Sequence, residues 1–245
     1  MATNPSSDDL LPDDPANPCS LLNAMASRYD LAQEDVDIGV RTFTMTVVRD
    51  PDVLLERVTP AQFAQDERLP YWAELWTSSL ALARFCLEEN AFRGKRVLEL
   101  GCGVGLVGLS AASGGARVVM TDYEHDALLF SQYNAMVNLP PDVVRRQIRI
   151  RHLDWRAPSL TGRFDTVLGA DILYERSLHG PLLRVLDEAL VPGGSVVLTD
   201  PERSMACEFV RAAREHGYSC ETHTSQWERG WRVSTVTRYT LGRSL

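Results

Sequence analysis

The residues of this chain that could do chemistry sit at the ends of apolar runs. Residues 97–105 read Val-Leu-Glu-Leu-Gly-Cys-Gly-Val-Gly: an apolar run starting at Arg96 carries one acid, Glu99, and empties into Gly101, Gly103 and Gly105. Leu106, Val107, Leu109 and Ala111 follow in helical spacing. A strand, a glycine turn and a helix in that order bring backbone N–H groups close to a ligand, so this stretch predicts a nucleotide-like ligand. Asp122 ends the next apolar run, where a carboxylate can accept from both hydroxyls of a ribose. Asp154-Trp155 ends the third run and Ala170-Asp171-Ile-Leu-Tyr174 the fourth. Ahead of the glycines, Tyr71, Trp72 and Trp76 crowd the entrance to a helix expected over about 77–89.

Gly103-x-Gly105-x-x-Gly108 fits a dinucleotide dehydrogenase as well as other adenosine binders, and Asp122 serves a ribose in either. Three features favour S-adenosylmethionine over a nicotinamide cofactor. Glu99 places a carboxylate where pyrophosphate would be repelled, whereas a sulfonium with an amino-acid tail tolerates an acid. Asp154 offers an acceptor for the adenine amino group and Trp155 a face for its ring. Asp171 and Tyr174 put an acid and an aromatic beside the expected reaction centre. All of these residues stand at the carboxyl ends of strands, where ligands bind in open parallel sheets.

The elements that must position them alternate regularly. Strands are expected at 117–121, 146–153, 164–170 and 195–200, and helices at 124–138 (stopped by Pro140-Pro141) and 205–216. Leu178, Leu182, Val185 and Ala189 share a further helical face, and Pro192-Gly193-Gly194 is a turn. Two last strands, about 218–224 and 231–241, are joined around 225–230 and must pair antiparallel. Five βα units and a terminal β-hairpin make an α/β protein with a parallel sheet covered on both faces. Upstream, 1–18 is rich in Pro, Asp, Ser and Asn and is read as disordered or loosely attached; 20–34 can form a short helix. Ile38–Val48 alternates as a strand ended by Asp50-Pro51-Asp52. The expected organisation is a loosely attached segment over 1–35, a β extension and entrance over 36–75, and the ligand-binding domain over 76–245.

The chain has 245 residues, 44% apolar and 24% charged, as a soluble globular protein does. Its net charge of −8 argues against nucleic acid or an anionic membrane as the main partner. Five widely spaced cysteines with no Cys-x-x-Cys pair suggest neither a disulfide framework nor a metal site. No apolar run approaches the roughly 18 residues of a membrane span, and no basic-then-apolar leader pattern is seen, so the cytoplasm is expected. Arg145, Arg149 and Arg151 would share one face of a strand, beside Arg146, as a patch for an acidic partner or as a solvated sheet edge.

Together these motifs resemble the seven-β-strand class I methyltransferases, and within them the protein-lysine methyltransferase group known as family 16. Residues 97–105 are similar to its motif I, Thr121-Asp122 to its second-strand acid, Leu153-Asp154-Trp155 to its adenine-side motif, and Asp171-Ile-Leu-Tyr174 to its Asp-x-x-Tyr/Phe element. Tyr-Trp-Ala-Glu-Leu-Trp (71–76) and Asp200-Pro201 are especially similar to the branch that methylates the electron-transfer-flavoprotein β-subunit. The resemblance covers roughly residues 38–240. It implies a Rossmann-like, doubly wound, seven-stranded and mainly parallel sheet with an antiparallel C-terminal hairpin, and S-adenosylmethionine-dependent N-methylation of a lysine on a protein substrate. It implies that Asp171 and Tyr174 are catalytic and that Trp76, Glu99, Gly101, Gly103, Gly105, Asp122, Asp154, Trp155 and Ala170 surround the cofactor. A small-molecule N- or O-methyltransferase and a non-catalytic adenosylmethionine-binding module remain as alternatives.

Overall fold

The computed structural model of the protein describes residues 17–56, 69–88, 91–229 and 232–243. In chain order its elements are α1 (Pro18–Ala26), β1 (Leu31–Asp37), β2 (Thr42–Val48), α2 (Asp52–Glu56), a 3-10 turn (Tyr71–Ala73), α3 (Thr77–Glu88), β3 (Arg96–Leu100), α4 (Leu106–Ser113), β4 (Arg117–Asp122), α5 (His125–Asn138), α6 (Pro141–Gln147) and β5 (Ile148–His152). Then follow β6 (Phe164–Ala170), a second 3-10 turn (Arg176–Leu178), α7 (His179–Ala189), β7 (Leu190–Asp200), α8 (Ser204–Glu215), β8 (Tyr218–Arg229) and β9 (Arg232–Arg243).

Strands β3 to β9 form one seven-stranded sheet in the order β5-β4-β3-β6-β7-β9-β8. Its first five strands are parallel, and β9 pairs antiparallel with both β7 and β8. Alternate residues of each buried strand face opposite layers. Val97, Val118, Met120 and Ile150 join a core with α3, α4 and α5, while Leu98, Leu100, Val167 and Leu198 join a second core with α7 and α8. Such two-sided burial is why these strands read as continuous apolar runs. The chain lays down β3, β4 and β5 toward one edge and then returns to place β6 on the other side of β3. That reversal opens a crevice at the carboxyl ends of β3 and β6.

Several local expectations are corrected. The helix expected over 20–34 ends at Ala26; Leu31–Asp37 instead pairs with β2 from Leu31↔Val48 to Asp37↔Thr42, tertiary pairing overriding local helix propensity. Of the strand expected over 38–48, only 42–48 is strand, because residues 38–41 turn the hairpin with Gly39 at φ 91°. Pro140-Pro141 does stop α5, but Pro141 opens α6, a first-turn position where the missing N–H costs nothing. Arg145 and Arg146 therefore lie in the last turn of a helix and share no strand face with Arg149 and Arg151. Strand β7 starts at Leu190 and absorbs Pro192-Gly193-Gly194 as an irregularity, since Phe164 pairs with Leu190 but Thr166 with Ser195. The terminal hairpin is longer than expected: pairing runs out to Arg229↔Arg232, so 225–229 is strand. The expectation for residues 1–16 lies outside the described residues.

The β1–β2 sheet is fastened to the rest by two asparagines of α5. Thr46 N–H donates to Asn134 Oδ1 (2.8 Å), and Asn134 Nδ2 donates to the carbonyls of Thr46 (3.0 Å) and Val104 (2.9 Å). Asn138 repeats the two-way pairing with Thr44 (2.9 and 2.8 Å). Side-chain amides thus stand in for a neighbouring strand along the outer edge of β2. At the tip of the terminal hairpin, Arg229 donates to the carbonyl of Leu75 and pairs with Glu34 of β1 (2.9 Å). Among the described residues no helix is long and apolar enough to cross a membrane. Asn134→Ala removes three hydrogen bonds and strands buried partners in the hairpin and the glycine turn; urea unfolding is expected to show a loss of about 3 kcal/mol, against about 1 kcal/mol for the more exposed Asn138→Ala.

Candidate active site

The crevice between β3 and β6 is a cleft of about 1160 Å³ including its open mouth. Of the residues expected to be catalytic or to surround the cofactor, all line it except Gly105. Gly105 caps α4 at φ 97°, and a side chain there would meet Met120 and Ser131 at 2.9 Å, so this glycine serves packing beneath the turn. The turn itself is held from several sides. Cys102 N–H donates to the Thr121 carbonyl (2.9 Å), Gly103 N–H to Asp122 Oδ2 (2.9 Å), and Asn134 reaches the Val104 carbonyl.

Glu99 lies beneath the turn, 2% exposed. Its carboxyl faces the N-terminus of α4, so close that a side chain on Gly108 would lie 2.3 Å from Oε2; this is why the last glycine of the motif carries none. Burial, with Asp122 nearby, pushes the Glu99 carboxyl well above the usual range against the pull of the Gly108 amide. Its Oε2 is buried with no hydrogen-bond partner. Asp122 accepts from Gly103 N–H and from Glu124 N–H (2.9 Å each), and burial raises its pKa to about 6. Each of its oxygens retains capacity for a ligand hydroxyl. Asp154 pairs with Arg156 (2.9 Å) and accepts the Arg156 N–H, while the Trp155 ring edge lies 3.8 Å from the position of a side chain on Gly101.

Across the crevice, Asp171 is held at φ 60°, a left-handed conformation rare for a residue with a side chain, and its N–H donates to the Thr199 carbonyl (2.8 Å). Its Oδ1 pairs with Arg203, and its Oδ2 is buried without a partner. The mouth is aromatic. Tyr71 stands edge-on to Trp76 (5.9 Å) and to Tyr174 (5.5 Å), and Trp76 Nε1 donates to the Tyr71 carbonyl (3.0 Å). Trp72 lines the cleft while packing on Tyr29 and Phe130 (5.7 and 5.2 Å). Two contributors, Asn134 and Arg203, were missed from sequence; the only hint was the singled-out Asp200-Pro201, three residues before Arg203.

Among the described residues the lining carries seven acids (Glu74, Glu99, Asp122, Glu124, Asp154, Asp171 and Glu175) and one cation, Arg156, which is engaged by Asp154. Such a lining repels pyrophosphate and suits an adenosine ligand without phosphate, bearing positive charge. The profile of the lysine methyltransferase family matches residues 60–215. The chain belongs to this family. Mouse protein N-lysine methyltransferase METTL21A is 35% identical over 181 residues, which span 71% of the chain and 76% of that relative. Mouse EEF1A lysine methyltransferase 3 is 36% identical over 140 residues, 56% of the chain and 59% of that relative, so the chain spans about three fifths of its length. Among solved structures, the magnesium protoporphyrin IX methyltransferase of Synechocystis with bound S-adenosylmethionine shares the fold (TM-score 0.52, 20% identity, covering 77% of the chain and 86% of that protein).

A ligand hydroxyl accepted by ionised Asp122 would make affinity depend on the raised pKa. Calorimetric binding of S-adenosylhomocysteine is expected to weaken by up to about tenfold per pH unit below about 6, and Asp122→Asn to flatten that slope.

Proposed function

We propose that the protein transfers the methyl group of S-adenosylmethionine to the side-chain amine of a lysine in a protein substrate. The observation that carries this reading is the cleft's excess of carboxylates over cations, with an unpartnered Asp171 oxygen beside an aromatic mouth. On this reading Asp122 accepts from the ribose hydroxyls, Asp154 and Trp155 hold the adenine, and the buried Oε2 of Glu99 supplies the missing partner for the methionine ammonium. Gly101, Gly103 and Ala170 let the backbone approach closely, and Trp76 walls the methionine end.

The cofactor supplies a methyl carbon on a sulfonium sulfur: as the amine lone pair forms the N–C bond, the C–S bond breaks and a neutral thioether leaves. What the protein must supply is a neutral, aligned amine. A lysine with a pKa of about 10.4 costs roughly 4.6 kcal/mol to neutralise at pH 7. Asp171 meets the ammonium, orients it and aids loss of its proton, while Tyr174 and Tyr71 narrow the approach and face the cation with their rings. Relatives are named for different protein acceptors, EEF1A, the electron transfer flavoprotein beta subunit and calmodulin. The mouth itself favours a side chain reaching in from outside over an enclosed small molecule, because Tyr71 and Tyr174 remain 36% and 42% exposed. The five free cysteines suit a reducing compartment such as the cytoplasm.

Radiolabel from S-adenosylmethionine is expected to enter a protein band of a lysate lacking the enzyme, and Asp171→Asn to lower that transfer by about a hundredfold or more. Label confined to small molecules would favour the small-molecule reading; cofactor binding with no transfer at all would leave a binding module.

A further inference from the structure

Asp171 follows β6 and Asp200 ends β7, neighbouring parallel strands in which Ala170 pairs with Thr199, and both carboxyl groups meet one guanidinium nitrogen. Both are buried, at 7% and 0% exposure, and two carboxylates so placed need a cation between them. Arg203 is that cation. Its Nη1 pairs with Asp171 Oδ1 and lies 3.4 Å from Asp200 Oδ2, while its backbone N–H donates to Asp200 Oδ1 (2.6 Å). The chain is bent to deliver it. Glu202 takes a left-handed φ of 62° and its carboxylate accepts from Thr237 Oγ1 (3.2 Å). The Arg203 guanidinium also lies over the Trp76 ring (5.6 Å), yet Arg203 is not among the residues that line the cleft.

One guanidinium serving two ionised carboxylates leaves one negative charge uncompensated, and Asp171 Oδ2 is the buried oxygen of the trio with no partner. We propose that Arg203 is the positioning residue of the acceptor subsite: by holding Asp171 Oδ1 it presents Oδ2 to the substrate ammonium, whose charge completes a neutral set of two carboxylates and two cations. Arginine suits this place because Nη1 reaches both carboxyl groups while the flat guanidinium lies over the Trp76 ring, a planar shape that a lysine ammonium lacks. The inference rests on the lysine reading of the site.

The test uses the full chain and the protein acceptor found by radiolabelling, with Arg203→Met, Arg203→Lys, Asp171→Asn and the double variant Asp171→Asn/Arg203→Met. Arg203→Met is expected to lower kcat/KM for the acceptor by about a hundredfold while S-adenosylhomocysteine affinity stays within about twofold. Arg203→Lys is expected to recover part of the loss, to within about tenfold of the parent, and it carries the test if Arg203→Met fails to fold. In the Asp171→Asn background the Arg203 substitution is expected to cost no more than about twofold, because it acts through the missing carboxylate. Multiplying losses in the double variant, or cofactor affinity falling in parallel with activity, would overturn the role of Arg203 alone. A parent chain that labels no protein would overturn the lysine reading and this inference together.

Discussion

The turn after β3 must run through left-handed backbone at Gly101 and Gly103 while keeping its amides and carbonyls satisfied, and the site depends on how that is done. Two stretches outside the turn reach in to hold it: the end of β4, through the Asp122 carboxylate and the Thr121 carbonyl, and the middle of α5, through Asn134. Asp122 therefore both fixes the turn through Gly103 and faces the cleft. Because its pKa is raised from 3.8 to about 6, its burial favours the fold fully below about pH 4, and that contribution is lost as pH rises through 6. At neutral pH the molecule keeps an ionised, desolvated carboxylate at a cost to its own stability, as binding sites commonly do.

The acids around the cleft follow one logic. Glu99, Asp122, Asp171 and Asp200 are all buried, and among the described cations Arg203 reaches two of them. A ligand carrying positive charge relieves that repulsion, so the cleft selects by electrostatics before any specific contact is made. The aromatic mouth adds apolar walls that an ammonium or sulfonium tolerates well.

Much of this was legible in the sequence, because strands buried on both faces leave unbroken apolar runs whose last residues name the site. Asp122, Asp154 and Asp171 were found in that way. Local pattern failed where tertiary pairing decided the outcome. Residues 31–37 have no strong strand signature and become β1 only by pairing with β2. Pro141 looked like a stop and was a start, since a proline suits either side of a helix boundary. Arg203 and Asn134 were invisible because their partners are 32, 88 and 30 residues away, and nothing in their immediate sequence distinguishes them from a surface arginine or a helical asparagine. Glu99 was singled out in the sequence and lines the cleft, but its burial beneath the turn follows from α4 packing on β3, which no run of residues displays.

The place of β9 has a consequence for how the molecule comes into being. It is the last strand in sequence but an inner strand of the sheet, inserted between β7 and β8, and the hairpin it makes carries Arg229 to the Leu75 carbonyl and to Glu34. During synthesis, the Arg229 contacts to the Leu75 carbonyl beside Trp76 and to Glu34 are therefore settled only once residues 232–243 have left the ribosome, whereas Asn134 and Asn138 hold the first hairpin earlier. A chain stalled before β9 would expose the open edge of β7 to other strands instead of to its own.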